Sequence, residues 1–341
     1  MTALSTGERL ARSATDPRIL LTVAIALQAA LLVYALLQNG SAELLLKGLQ
    51  GLLAAQALYL AAVLILILRF RLLFPPPAPG LLLAARSTLI GIGLNFVLPA
   101  RLSELPRIAC LSSSSDVPAH RSMSAIMLEK LADVLALVLT VLALAVLQPH
   151  LPIPPTGLLL AMAGFLGAMI AARRAVIALL RHAGLTRLAD FAEAMIVDFV
   201  RGLRQPSFIP AVLLSLASFG LVIVANRILL DAILPEPLPW LSVTLLFAVS
   251  ILGAAASTLP GGTGGFHGAV IVTLIAVDID TGTASVAALA LHAQQFVITL
   301  PLALLCLRRE HLDIVAWFRR AARQPPAASS DAAFDRSSPA P

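Results

Sequence analysis

Two stretches, Ile19 to Leu37 and Leu49 to Leu68, run for 19 and 20 residues without one charged side chain. As helices rising 1.5 Å per residue, each is about 30 Å long, the thickness of a bilayer's hydrocarbon core. A helix apolar on every face needs a membrane or the centre of a large core to cover it. Composition decides between these. The chain is 59% hydrophobic and 12% charged with a mean hydropathy of +0.93, whereas a soluble domain is about 25% charged. The runs are continuous rather than alternating, which excludes the pattern of a membrane β-barrel. The expected fold is an all-α polytopic membrane protein.

Basic residues orient it. Arg9, Arg12 and Arg18 precede the first run and no small-residue cleavage site follows. Residues 1–18 are therefore expected in the cytoplasm, with 19–37 a retained span. Arg69 and Arg71, with the Pro75–Pro77 run, mark a cytoplasmic turn. Met123 to Leu147 and Phe208 to Leu230 read as full spans, Gly157 to Ala172 and Leu241 to Ala256 as shorter crossings, and Ala284 to Leu307 as the last. The transmembrane domain is thus 19–307. The 308–341 tail opens on Arg308 and Arg309 and is cytoplasmic, becoming Ala/Pro/Ser-rich and disordered. Both termini are expected to face the cytoplasm. Between Arg173 and Gln205 (173–205), Leu185, Leu188, Ala192, Met195 and Phe199 recur at helical spacing among Arg181, His182, Arg187, Arg201 and Arg204. That predicts an amphipathic cytoplasmic helix, either lying on anionic lipid or packed on the bundle.

Two stretches break the pattern. If Leu81 to Ala100 crossed fully, Arg101, Arg107 and Arg121 would lie outside, against the charge rule. A re-entrant element removes the conflict, being tolerated where protein covers it. Later, Ser257 to Gly268 (STLPGGTGGFHG) interrupts a span, and Phe266 to Val277 is too short to cross alone. With both ends cytoplasmic the crossings must be even, giving about eight if the glycine-rich element completes one. Leu98-Pro99 and Leu259-Pro260 hold comparable places in the two halves, the pattern of an internal-repeat transporter with its site between the repeats.

Polar residues at membrane depth are costly and mark candidate sites. The first break carries Asn95, Arg101, Glu104 and Arg107. Glu129 and Asp133, four apart on one helix face, follow beside Lys130; interfacial snorkelling with a local ion pair is the plainer reading of these three. Pro260, Gly261 and Gly262 allow a close backbone approach to a ligand, or close helix packing. His267 and His292 are either bundle histidines held by hydrogen bonds or proton carriers. Neither has partners at metal-ligand spacing, so no metal site is expected. Cys110 and Cys306 are too few and too far apart for a disulfide framework. The net charge of +6 suits loops beside an anionic leaflet; no nucleic-acid reader motif, nucleotide-binding loop or cofactor motif is present.

At these residues the chain resembles the lysylphosphatidylglycerol synthase transmembrane-region, or flippase-like, family. Asn95, Leu98-Pro99, Ser103-Glu104 and Arg107 match its Asn, Leu-Pro, Gly-Glu and Arg, with Ser in the Gly place. Glu129, Lys130 and Asp133 look like its Glu-Arg and Asp, and Pro260-Gly261-Gly262, followed by Gly264, like its late Pro-Gly-Gly element. His267 stands where an acidic residue is common, and His292 or its neighbours where an arginine is. The resemblance implies an inner-membrane protein that moves or handles a phospholipid, hopanoid or polyprenyl-linked lipid. The family's best-known members add a soluble aminoacyltransferase domain, for which this chain has no room, so synthase activity is not expected. Three readings stand: a lipid transporter or flippase, an integral-membrane headgroup transferase using Glu104, Glu129 and Asp133 as bases or Mg²⁺ ligands, or a non-catalytic partner of a lipid-modifying enzyme.

Overall fold

The computed structural model describes residues 42–74, 78–98, 102–115, 117–147, 167, 174–257 and 259–310. The first expected span, the 157–172 crossing apart from Gly167, Pro99, Arg101 and the 311–341 part of the tail lie outside these. Every regular element among the described residues is a helix.

Helix α1 (Ala42–Leu72) is followed by α2 (Leu81–Asn95), α3 (Glu104–Ser114), α4 (Ala119–Leu147), α5 (Thr186–Leu203), α6 (Phe208–Ile233), α7 (Trp240–Ala256), α8 (Gly265–Ile275), α9 (Thr281–Phe296) and α10 (Thr299–Glu310). Proline sets many of the boundaries, since it lacks a donor and disfavours helix in the residue before it. Pro118 precedes α4, Pro206 precedes α6, Pro235 follows it and Pro239 precedes α7. Four helical stretches are long and apolar enough to cross a membrane: Leu46–Leu72, Ala119–Leu147, Phe208–Ile233 and Thr281–Arg309. Leu53, Leu64, Val146, Ile209, Leu213 and Val272 remain exposed. In a membrane this surface meets acyl chains rather than water.

Helices α1 and α6 pack closely through small residues. A Cβ on Gly51 would stand 2.7 Å from that of Ala232, and the Ser218 hydroxyl donates to the Ala62 carbonyl at 3.4 Å. Small residues let backbones approach where lipid offers no hydrophobic drive.

Both interrupted stretches fold as hairpins. At 15 residues, α2 is about 22 Å long, short of a full crossing. The chain then turns back, because Ala84 clusters with Ile108 and Leu111 while Gly91 faces the Arg107 side chain. That antiparallel pairing gives the chain reversal that a re-entrant element requires. Helices α7 and α8 make the second hairpin: Gly253 lies against Gly265 and Ala269, and Ser257 donates to the Thr263 carbonyl at 2.8 Å across the turn.

One sequence reading is refined and one changes. The last span is present as Thr281–Arg309, with a local interruption. Pro301 cannot donate to the Val297 carbonyl and its ring would clash there, which breaks the regular helix at residues 297–298 between α9 and α10. The 173–205 stretch is likewise divided, with helix at residues 174–182, a turn at Gly184 (φ +74°), and then α5. Helix α5 packs on α4, burying Ala189, Phe199 and Gly202, and leaves Leu185 and Leu188 exposed.

Candidate functional site: a charged cavity between two hairpin tips

Arg107 is the centre of the site. It lies one turn into α3, and its guanidinium grips Glu129 of α4 with two bonds, Nη1 to Oε1 at 3.0 Å and Nη2 to Oε2 at 2.5 Å. A bidentate guanidinium–carboxylate pair is both strong and directional. The guanidinium also lies 4.0 Å from the ring centre of Phe70 and meets Glu104 at 3.3 Å. Gly91 makes room for it: a Cβ there would come within 2.8 Å of Arg107 Cδ. Only 3% of the Arg107 side chain and 7% of that of Glu129 is exposed.

Arg69 completes the cluster from α1. It bonds both oxygens of Asp133, donates to the Ser215 hydroxyl of α6 at 2.6 Å, and lies 3.5 Å from Glu129 Oε1. Lys130 reaches Glu104 at 3.0 Å and Glu129 at 3.4 Å. Three cations and three carboxylates thus neutralise one another across α1, α3 and α4. Each carboxylate is held by arginine or lysine.

Arg69 is a site residue that the sequence reading assigned only to a turn. It is 1% exposed. Helical phase explains this. It lies two turns beyond Ala62 on the face that carries Tyr59, Ala62 and Leu73 to the interior. Arg71 points away, exposed, and donates to the Pro79 carbonyl at 3.2 Å. Continuing the buried stripe of α1 from Tyr59 and Ala62 two further turns would have identified it.

A cavity of about 260 Å³ opens above this cluster. Asn95, Phe96, Leu98 and Ser103 from the first hairpin tip form one wall. Ser257, Leu259, Gly261 and Gly262 from the second form the opposite wall, and Glu104, Arg107, Glu129 and Lys130 the charged floor. Tyr59 and Gln295 also contribute. Asp133 is not in the lining; it sits behind, bonded to Arg69. The two interrupted elements, far apart in sequence, therefore meet over one polar space.

The second tip depends on its glycines. Gly261, Gly262 and Gly264 take φ of +64°, +70° and +84°, a region that other residues enter at a cost. Gly261 also has no room for a side chain, since a Cβ would lie 2.8 Å from Phe96 and 3.1 Å from His292. Close helix packing falls instead to Gly253 and Gly265, so the two uses of glycine are divided. His292 Nε2–H donates to the Gly261 carbonyl at 3.0 Å. That bond identifies the proton-bearing nitrogen and holds the tip in place. His267 stacks edge-on against His292 with ring centres 4.7 Å apart, and Phe96, Phe266 and Phe296 surround the pair. The sequence reading had these two histidines in separate elements; the structure brings them together behind the tip, outside the cavity lining.

Fold and site define a helical membrane protein with two opposed helical hairpins meeting over a buried ionic cluster. The sequence model of the family described as Lysylphosphatidylglycerol synthase TM region matches residues 19–303, and the chain belongs to that family. Membership places it among membrane proteins of lipid metabolism or transport. No curated protein and no solved structure matches the chain.

Proposed function

We propose that the protein moves a membrane lipid between leaflets, with the headgroup passing through the cavity between the hairpin tips. One observation carries this reading: a polar space at the meeting point of two broken elements, walled by unwound backbone and floored by charge. A lipid tail crosses hydrocarbon at no cost, whereas the headgroup needs such a path. Interrupted helices paired across two halves of a chain are the usual place for it. Glu104 and Lys130 present charge to the headgroup, while Arg107, Glu129, Arg69 and Asp133 hold the floor rigid. The Pro260–Gly262 tip is the opposing gate, braced by His292. Under this reading the termini are cytoplasmic, the membrane is a bacterial-type inner membrane, and residues 186–203 form a cytoplasmic platform against the lipid surface.

The test is lipid movement in proteoliposomes that hold the full chain. Wild type should expose an inner-leaflet fluorescent phospholipid to an external quencher, and Glu104→Gln and Gly261→Ala should slow that exposure. Folded, inserted protein that moves none of the phospholipids tried refutes the reading.

A further inference from the structure

The charges that line the cavity are not equally available. Arg107 and Glu129 are locked to each other by two bonds, packed on Phe70 and Gly91, and almost sealed from the cavity. Glu104 and Lys130 are joined by one contact at 3.0 Å and are the more exposed pair, at 18% and 40%. A headgroup entering between the tips therefore meets one carboxylate and one ammonium that can exchange partners. The opposite wall, with Ser257, Gly261 and Gly262, carries no charge.

The balance of charge selects what can enter. Among the described residues the lining holds two cations and two anions, and adding Arg69 and Asp133 behind them keeps the sum over the described residues at zero. In a poorly solvated space a ligand with net charge leaves one uncompensated charge, which is far more costly than an exchange of pairs. A headgroup with one anion and one cation opens the Glu104–Lys130 pair and replaces it with two new pairs. The net charge of the site does not change.

We propose that the cavity recognises a net-neutral, zwitterionic headgroup, its phosphate on Lys130 and its ammonium on Glu104. This rests on the lipid-transport reading above and narrows it to one substrate class. The floor pair Arg107–Glu129 then acts as a fixed base, and Glu104–Lys130 as the pair that opens.

The experiment compares three fluorescent lipids with identical acyl chains in proteoliposomes: phosphatidylethanolamine, phosphatidylglycerol and a synthetic cationic lipid. Wild type should move phosphatidylethanolamine faster than either by about tenfold, the effect of roughly 1.4 kcal/mol. Glu104→Gln leaves a surplus positive charge and should shift preference toward phosphatidylglycerol. Lys130→Gln should shift it the opposite way, toward the cationic lipid. A loss of rigidity alone would slow all three probes together, so opposite shifts separate selectivity from structure. Faster movement of either charged probe by wild type overturns the proposal without any variant. So does a shift in the same direction in both variants, and either result leaves lipid transport standing. Movement of no probe by folded protein overturns the transport reading and the proposal with it.

Discussion

Replacing Arg69 with alanine tests whether the buried cluster holds the bundle together. The change removes the guanidinium from Asp133, Ser215 and Glu129 at once. Breaking a buried ion pair by deleting one partner costs about 3–5 kcal/mol, because the other charge stays buried. Here the lower end applies. Asp133 is 30% exposed and recovers some solvation, and Glu129 keeps both bonds from Arg107 and a contact from Lys130. A loss of about 3 kcal/mol corresponds to about 6–12 °C in melting temperature at 2–4 °C per kcal/mol. Arg69→Met combined with Asp133→Leu removes both partners, leaves no orphaned charge between them, and should recover at least half of the loss. The readout is reaction of the buried Cys110 thiol during a thermal ramp in detergent, in a Cys306→Ser background. An Arg69→Ala melt within about 2 °C of wild type, or a double variant no more stable than the single one, refutes the assignment of this cluster as a structural tie.

Other expectations are narrower. Gly261→Ala forces a Cβ against Phe96 at 2.8 Å and a left-handed φ; it should cost about 1–3 kcal/mol and slow lipid movement. Gly268→Ala, in helix α8 with nothing within 4 Å of its Cβ, should leave lipid movement unchanged and stabilise by about 0.4–1 kcal/mol. Gly93→Ala sets a Cβ 2.6 Å from the Thr299 carbonyl oxygen, so it should separate α2 from α10 and lower the melting temperature at a cost of about 1–3 kcal/mol. Asp280 caps α9 by accepting from the Thr283 N–H at 2.9 Å, and the hydrogen bonds from Thr283 hold its carboxyl below the usual aspartate range. A lowered folded pKa adds stability above the unfolded value near about 3.9 and loses it as pH falls through the folded value. Asp280→Ala should therefore cost about 1 kcal/mol at pH 7, and melts of wild type and variant should converge in acid.

Membrane class and the two interruptions were legible in the sequence because apolar length and proline act locally. Glu104, Arg107 and Glu129 were found for the same reason, since charge in apolar surroundings stands out in the chain. The pairings were not legible. Arg69 finds Asp133 across 64 positions and Ser215 across 146, and no periodicity encodes such a contact. The positive-inside rule treats basic residues at a span's end alike, yet rotation about α1 buries Arg69 and exposes Arg71. The Thr281–Arg309 span was legible from its hydropathy, while the interruption at residues 297–298 is signalled only by Pro301. His267 and His292 gave no sign of each other because their meeting depends on how α8 and α9 cross.

Those same separations bear on how the protein is made. Arg69 reaches the membrane 64 residues before Asp133 and 146 before Ser215. At about 5–20 residues per second, its first counter-charge, Glu129, follows roughly 3–12 seconds later. During that interval α1 carries an arginine that hydrocarbon will not accept unpaired, so the end of the helix must wait at the headgroup level with its side chain in water. Only when α4 arrives can it settle to its final depth, and α6 then closes over it. Insertion of the first described helix is thus completed by segments not yet synthesised when it enters, and a chain stopped before residue 129 should leave α1 shallow.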